Sequence, residues 1–261
     1  MIKIAIHSVP RSGSSWLGEI INSSENVNYS YQPLFSYEFK SALSDISTSE
    51  DINNFFTNIS TSDSHFIKQK KERAEGKKPK ETKTELKAIA YKEVRYHYIL
   101  RNMAVQCPDI KIIALIRDPI EVINSWYGAK KEFRRDLNWS LDEELNMAEK
   151  KNQNRKEEYF GLMKWVEVAK EFEYLKENHK NVYVCNYKNL KENTESEVKK
   201  IYSFIGLELG DRTKEFIRNK KDVGGDYSVY KSSKTNISLT EKQIENIKSI
   251  VKKSELNFDF K

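Results

Sequence analysis

The sequence predicts an α/β fold of three layers, a central parallel sheet with helices on both faces. Two patterns point to it. Short β-branched or apolar runs (Ile2–His7, Lys111–Ile116, Asn181–Cys185) alternate with longer stretches whose apolar residues recur at helical spacing. The run Lys111–Ile116 is apolar almost throughout, as in a strand buried on both sides. The length allows one domain over residues 1–261, and 12 Phe, 14 Tyr and 4 Trp can fill its core although only 38% of the chain is hydrophobic.

Taken in order, Ile2–His7 reads as the first strand, Ser8–Ser15 as a small polar loop, and Trp16–Ile21 as the start of a helix. Val27–Phe39 is rich in aromatic residues. Tyr29, Tyr31, Phe35, Tyr37 and Phe39 suit a buried core strand, or a surface that stacks on an acceptor. A helix is expected around Asp51–Ile59. About residues 60–87 lies a charged, glycine- and proline-bearing run, read as a solvated loop or a lid. Ala88–Tyr96 reads as a strand and His97–Gln106 as a helix stopped by Pro108. After the strand Lys111–Ile116, Pro119 suits the first turn of a helix reaching about Gly128, with Asp118 as its cap. Residues 129–180 carry apolar residues at helical spacing and should form two or three helices. Asn193-Thr194 begins a helix ended by Gly206, and the last helix spans about Thr240–Ser254.

Composition narrows the functional classes. No apolar run approaches the ~18 residues of a membrane span, and the opening MIKIAIHSVP is too short in apolar length for a secretory signal. Cys107 and Cys185 provide neither a disulfide framework nor a four-cysteine zinc site, so a reduced, cytoplasmic setting is expected. The net charge of +6 favours anionic ligands, but the basic residues are spread among acids and no nucleic-acid motif appears. The four histidines, His7, His65, His97 and His179, are scattered, and no metal site is expected.

Two constellations carry chemistry. In Pro10-Arg11-Ser12-Gly13-Ser14-Ser15-Trp16, Gly13 lets the backbone curl so that successive N–H groups point inward at a helix start. The serines add hydroxyl donors and Arg11 a planar fork of charged donors, which suits a phosphate or a sulfate. This strand–loop–helix is P-loop-like, yet the chain has no Gly-Lys-Ser or Gly-Lys-Thr. The second constellation is Arg117 at the end of a buried strand and Ser125 about two turns into the next helix, able to hold an anion between them.

Together, PRSGSSW and IIALIRDPIEVINSW resemble the sulfotransferase superfamily that uses 3′-phosphoadenosine 5′-phosphosulfate (PAPS). The likeness is nearest to the carbohydrate and tyrosyl-protein branches, where P-R-S-G-[ST] has Arg in place of the Lys of the cytosolic branch. The resemblance implies a single sulfotransferase domain with PAPS as co-substrate. It assigns the 5′-phosphosulfate to Arg11, Ser12, Gly13, Ser14, Ser15 and Trp16, and the 3′-phosphate to Arg117 and Ser125. The segment VYVCNYKNLKENTESEVKKIYSFIGL resembles a further family stretch and puts Tyr187 against the adenine, although Lys188-Asn189 replaces the usual Glu-Asp. Tyr230, Lys231 and Ser233 resemble a late loop over the nucleotide. Acceptor recognition would lie in residues 40–87 or 129–180; in the second, Lys130-Lys131 and Arg134-Arg135 could meet an anionic glycan, or form a solvated helix face.

The implied reaction is in-line sulfuryl transfer to a hydroxyl of a saccharide or other small acceptor, with Arg11 and the loop N–H groups stabilising the leaving phosphate. Where the carbohydrate branch often has Glu-Pro, this chain has Gln32-Pro33, and Gln cannot act as a base. Lys92 matches the family's cation near the sulfuryl group, and its neighbour Glu93 is the candidate base. Strand alternation would put the two on opposite faces, so both cannot point into the site unless the strand has ended, and a surface ion pair is the other reading of Glu93. Glu38 and His97 are further candidates. A P-loop-type nucleotide kinase and a basic polyanion-binding protein are the alternatives. The first lacks Gly-Lys-[Ser/Thr] and a clear strand-end Asp for magnesium.

Overall fold

A computed structural model describes residues 1–78, 83–219 and 238–258. Five strands form one wholly parallel sheet: β1 (Ile2–Ser8), β2 (Val27–Tyr31), β3 (Ala88–Glu93), β4 (Lys111–Ile116) and β5 (Val182–Asn186), in the order β2-β3-β1-β4-β5. The chain therefore starts near the middle of the sheet, builds outward to one edge, and returns to build the other half. Register pairs Ile4 with Ala90 on one side of β1, and Ile6 with Ile113 on the other.

The helices are α1 (Ser14–Asn22), α2 (Ser49–Thr61), α3 (Lys70–Ala74), α4 (Leu100–Gln106), α5 (Pro119–Tyr127), α6 (Leu141–Met147), α7 (Glu149–Asn152), α8 (Leu162–Asn178), α9 (Tyr187–Glu192), α10 (Thr194–Ile205), α11 (Asp211–Arg218) and α12 (Glu241–Lys253). Strand alternation divides the core in two. Ile4, Ile6, Ala88, Ala90, Ile113 and Leu115 face α1 and α10. Ala5, Ile89, Tyr91, Ile112 and Ala114 face α2, α4 and α8. A third cluster joins α5, α6 and α12 beyond the sheet. No helix among the described residues is long and apolar enough to cross a membrane.

Several expectations change. The aromatic stretch is a strand only to Tyr31. A 3-10 turn, Pro33–Phe35, follows, leaving Tyr29 and Phe39 buried but Phe35 and Tyr37 exposed. The strand expected to run to Tyr96 stops at Glu93, and the helix expected from His97 begins as a 3-10 turn. Asn193 precedes α10 without a side-chain cap bond, whereas Gly206 ends that helix at φ 78°.

The charged run is the largest correction. It carries α3, and four of its basic side chains, Lys68, Arg73, Lys78 and Lys83, dock inward, while Lys71 and Lys77 stay in water. Lys78 Nζ lies 2.9 Å from Glu19 Oε1 on α1, with both side chains almost wholly buried, and Arg73 approaches the same carboxylate at 3.4 Å. Lys68 Nζ donates to Asn28 Oδ1 at 2.7 Å, and Lys83 Nζ to the Asn22 carbonyl at 2.7 Å. Burial pushes the Glu19 carboxyl up, but Lys78 and Arg73 outweigh it and hold it below the usual range. The periodicity that marks apolar faces does not register a face built from lysines that find acceptors.

Candidate active site

The carboxyl ends of the strands position the site, as in other open parallel sheets. β1 ends at Ser8, and residues 9–13 curl into the start of α1. Gly13 sits at φ 87°, and its carbonyl accepts from Trp16 N at 3.0 Å, closing the first turn. Arg11 adopts φ 71°, unusual for a residue with a side chain, which marks a constrained turn. Ser12 is fully buried, and its Oγ has no hydrogen-bond partner among the described residues. A buried hydroxyl without a partner among the described residues, beside a helix start with no side-chain cap, has the chemistry of a donor to an anion.

Gly13 is required for a second reason. The ring of Tyr187, the first residue of α9, lies against it, and a Cβ on residue 13 would stand 2.3 Å from Tyr187 Cε2. Trp16 meets the same ring edge-on at 6.3 Å between centroids. The end of β5 thus folds over the loop that follows β1.

The loop after β4 completes the arrangement. Arg117 Nη1 donates to the Arg11 carbonyl at 2.9 Å, and Arg11 Nε donates to Ser125 Oγ at 3.2 Å. Each turn therefore holds the other: the second loop's arginine grips the first loop's backbone, and the first loop's arginine grips the second loop's helix. The Arg117 guanidinium also lies 4.5 Å over the Tyr187 ring, while its Nε donates to Glu121 Oε2 at 2.7 Å. Trp165 Nε1 on α8 donates to the Arg117 carbonyl at 3.1 Å. Asp118 caps α5 through Oδ1, which accepts from Glu121 N at 3.0 Å.

Towards the other edge of the sheet, β3 runs through Glu93, so the alternation holds. Lys92 faces the α1 side, its Nζ 4.4 Å over the Tyr31 ring. Glu93 faces the opposite side, its Oε1 accepting from Leu34 N at 2.8 Å and its Oε2 without a partner. Both are buried, which excludes the surface ion pair for Glu93. Burial pushes the Glu93 carboxyl up to about 7 against the opposing pull of Lys92 and Arg95. Burial likewise brings Lys92 down to about 7, against the pull of Glu93.

Beside this pair, Arg95 donates through Nε to Glu158 Oε1 at 3.0 Å and through Nη1 to Gln32 Oε1 at 3.1 Å, with its guanidinium 4.1 Å over the Phe35 ring. Behind the first loop, His7 and His97 face each other, Nδ1 to Nδ1, at 3.1 Å. Burial, with a smaller contribution from Lys92, takes His7 down to about 3. His97 belongs to this buried pair, and its ring packs on Tyr159 at 4.5 Å.

The structure thus brings Arg11, Ser12, Gly13, Trp16, Arg117, Ser125 and Tyr187 into one cluster, with Ser14 and Ser15 in the first turn of α1. Lys92 and Glu93 stand at the end of the adjoining strand. Tyr230, Lys231 and Ser233 lie outside the described residues. Of the basic run, Arg134 is paired with Asp136 at 2.5 Å and Arg135 stacks on Tyr127 at 3.9 Å. Glu38 accepts from Ser62 Oγ at an exposed position.

Sequence reasoning missed Glu121, although its i+4 spacing from Arg117 was a usable signal once a helix began at Pro119. It also missed the Arg95–Glu158 pair, whose separation of 63 positions leaves no local signal.

The family model described as the sulfotransferase domain matches residues 2–256 of this chain. No curated protein sequence matches it. Among solved structures, a mouse sulfotransferase complexed with PAP is similar at 17% identity and a TM-score of 0.57, covering 98% of this chain and 84% of that one. A sulfotransferase from Alicyclobacillus acidocaldarius is similar at 15% identity and a TM-score of 0.56, covering 97% of this chain and 92% of the other. A retinol dehydratase in complex with androsterone and inactive cofactor PAP is similar at 14% identity and a TM-score of 0.56, covering 98% and 82%. At these identities the structural likenesses establish the fold.

Proposed function

This chain belongs to the sulfotransferase domain family, and on that premise we propose that it transfers the sulfuryl group of PAPS to a hydroxyl of a saccharide or other small acceptor. The observation that carries the reading is the reciprocal clasp of the two loops, Arg117 to the Arg11 carbonyl and Arg11 to Ser125, beside the unpartnered Ser12 hydroxyl. Two guanidinium groups and a serine hydroxyl converge there with the start of α1, which suits a ligand with two separate phosphate groups.

In this reading the residues from Arg11 to Trp16 hold the 5′-phosphosulfate end, Arg117 and Ser125 the 3′-phosphate, and Tyr187 the adenine. The sheet order then gives a direction. Nucleotide groups over β5, β4 and β1 leave the sulfuryl group pointing towards β3 and β2, where Lys92 and Glu93 stand.

PAPS supplies the sulfuryl group and leaves as adenosine 3′,5′-bisphosphate. Arg11 and the loop N–H groups neutralise the charge that grows on the departing phosphate, and Lys92 lies on the side where the sulfuryl oxygens would be. Glu93 serves as the base that takes the acceptor proton only where the chain turns at the end of β3, because along the strand it faces away from Lys92. A carboxyl held near 7 suits that task, because it is substantially ionised at neutral pH yet still basic enough to receive a proton.

Calorimetric titration with adenosine 3′,5′-bisphosphate tests the donor side. The unaltered protein should bind it, and Arg117→Ala should weaken binding by roughly 100-fold, as expected when a charged donor to a phosphate is removed. Equal affinity of the two proteins would sink the assignment.

A further inference from the structure

Arg117 is held more completely than a flexible surface arginine would be. Its Nε donates to Glu121 Oε2 at 2.7 Å, its Nη1 to the Arg11 carbonyl at 2.9 Å, and its flat face lies 4.5 Å over Tyr187. Two in-plane hydrogen bonds and one stacking contact fix a planar group in both position and rotation. They leave Nη2 with no hydrogen-bond partner among the described residues. Glu121 is itself fixed, because its backbone N–H donates to the Asp118 cap at 3.0 Å. The stretch Arg117–Glu121 is therefore one unit in which the cap sets the glutamate and the glutamate sets the arginine.

We propose that Glu121 is a positioning residue for the nucleotide's 3′-phosphate, holding the Arg117 fork so that its remaining donors face the ligand. The inference rests on the donor-site reading above. It opposes the simpler expectation for an acid beside a phosphate subsite. Glu121 is 41% exposed, so its repulsion of a phosphate is screened by water, whereas the rotational freedom it removes from a long side chain is not. The two effects have opposite signs. If orientation prevails, losing the carboxylate weakens binding; if repulsion prevails, losing it strengthens binding.

The experiment compares adenosine 3′,5′-bisphosphate with adenosine 5′-monophosphate, which lacks the 3′-phosphate, by calorimetric titration of the full chain and two variants. Glu121→Ala removes the acceptor for Nε. It should weaken the bisphosphate about five- to tenfold, the scale of one side chain that must now be ordered on binding, and leave the monophosphate unchanged. Glu121→Gln keeps an acceptor oxygen without the charge and should restore affinity to within about twofold.

A general loss of structure would weaken both nucleotides and lower the melting temperature, and Gln would not correct it selectively. That pattern, or tighter bisphosphate binding by Glu121→Ala, overturns the positioning role. If the unaltered protein does not prefer the bisphosphate to the monophosphate, the donor-site reading fails and this inference fails with it.

Discussion

The two halves of the sheet's carboxyl end are built on different principles. Over β1, β4 and β5, the functional groups sit on loops that leave the strands directly, and they are joined by hydrogen bonds near the surface. Arg11, Arg117 and Ser125 meet there although more than a hundred residues separate the two loops. Over β2 and β3, charged groups are sunk into the protein: Lys78 pairs with Glu19 and Arg95 with Glu158 and Gln32, while Lys92 and Glu93 are buried on opposite faces of β3. The first half is organised around donors on two loops that hold each other. The second keeps its charges inside the protein, towards the edge of the sheet. Perturbing the first should therefore change ligand affinity, and perturbing the second should change stability or protonation.

The largest expected effect that would break this contrast is at Gly13. Gly13→Ala places a methyl group against the Tyr187 ring at a backbone angle that disfavours side chains, and should lower affinity for adenosine 3′,5′-bisphosphate about 100-fold, with a loss of stability of about 1–3 kcal/mol from the strained backbone. A fall in melting temperature with affinity unchanged would mean instead that the loop is structural.

Next is Lys78→Met, which removes one of the two cations from the buried Glu19. It should destabilise the protein by about 2 kcal/mol, below the usual range for breaking a buried pair because Arg73 remains, and leave nucleotide affinity within twofold. Thermal unfolding and calorimetry on the same variant would separate the two halves.

The smallest effect concerns Glu93. The 13C carboxyl signal that disappears in Glu93→Gln should titrate with a midpoint near 7, and the rate of transfer should pass through a maximum in that range, falling on the acid side as Glu93 takes up a proton and on the alkaline side as Lys92 loses one. Arg95 favours the ionised carboxylate, so Arg95→Met should move the midpoint upward. A midpoint near 4.5 would show that the carboxyl is open to water and would remove the contrast on that side.

The same division explains what could be read without coordinates. The strand Lys111–Ile116, the cap at Asp118, the proline that opens α5 and the glycine that ends α10 are all local: each is decided by the chemistry of a few neighbouring residues. The donor cluster was legible because its parts lie in two short segments, each following a strand. The docking of the charged run was not, because a lysine bound for water and one bound for a buried carboxylate look alike until the partner is known. Lys78 finds Glu19 across 59 positions, and Arg95 finds Glu158 across 63.

The sequence by itself determined the alternation of strands and helices, the glycine turn that follows the first strand, and the arginine at the end of the fourth. These follow from backbone geometry and periodicity, which act over a few residues. The tertiary structure alone decided that β3 inserts between β1 and β2, that the two loops grip each other, and that Lys78, Glu93, Arg95 and Glu158 are withdrawn from water. Pairing of strands and burial of charge are settled by which distant groups can satisfy one another once the chain has packed, and no local pattern encodes that choice.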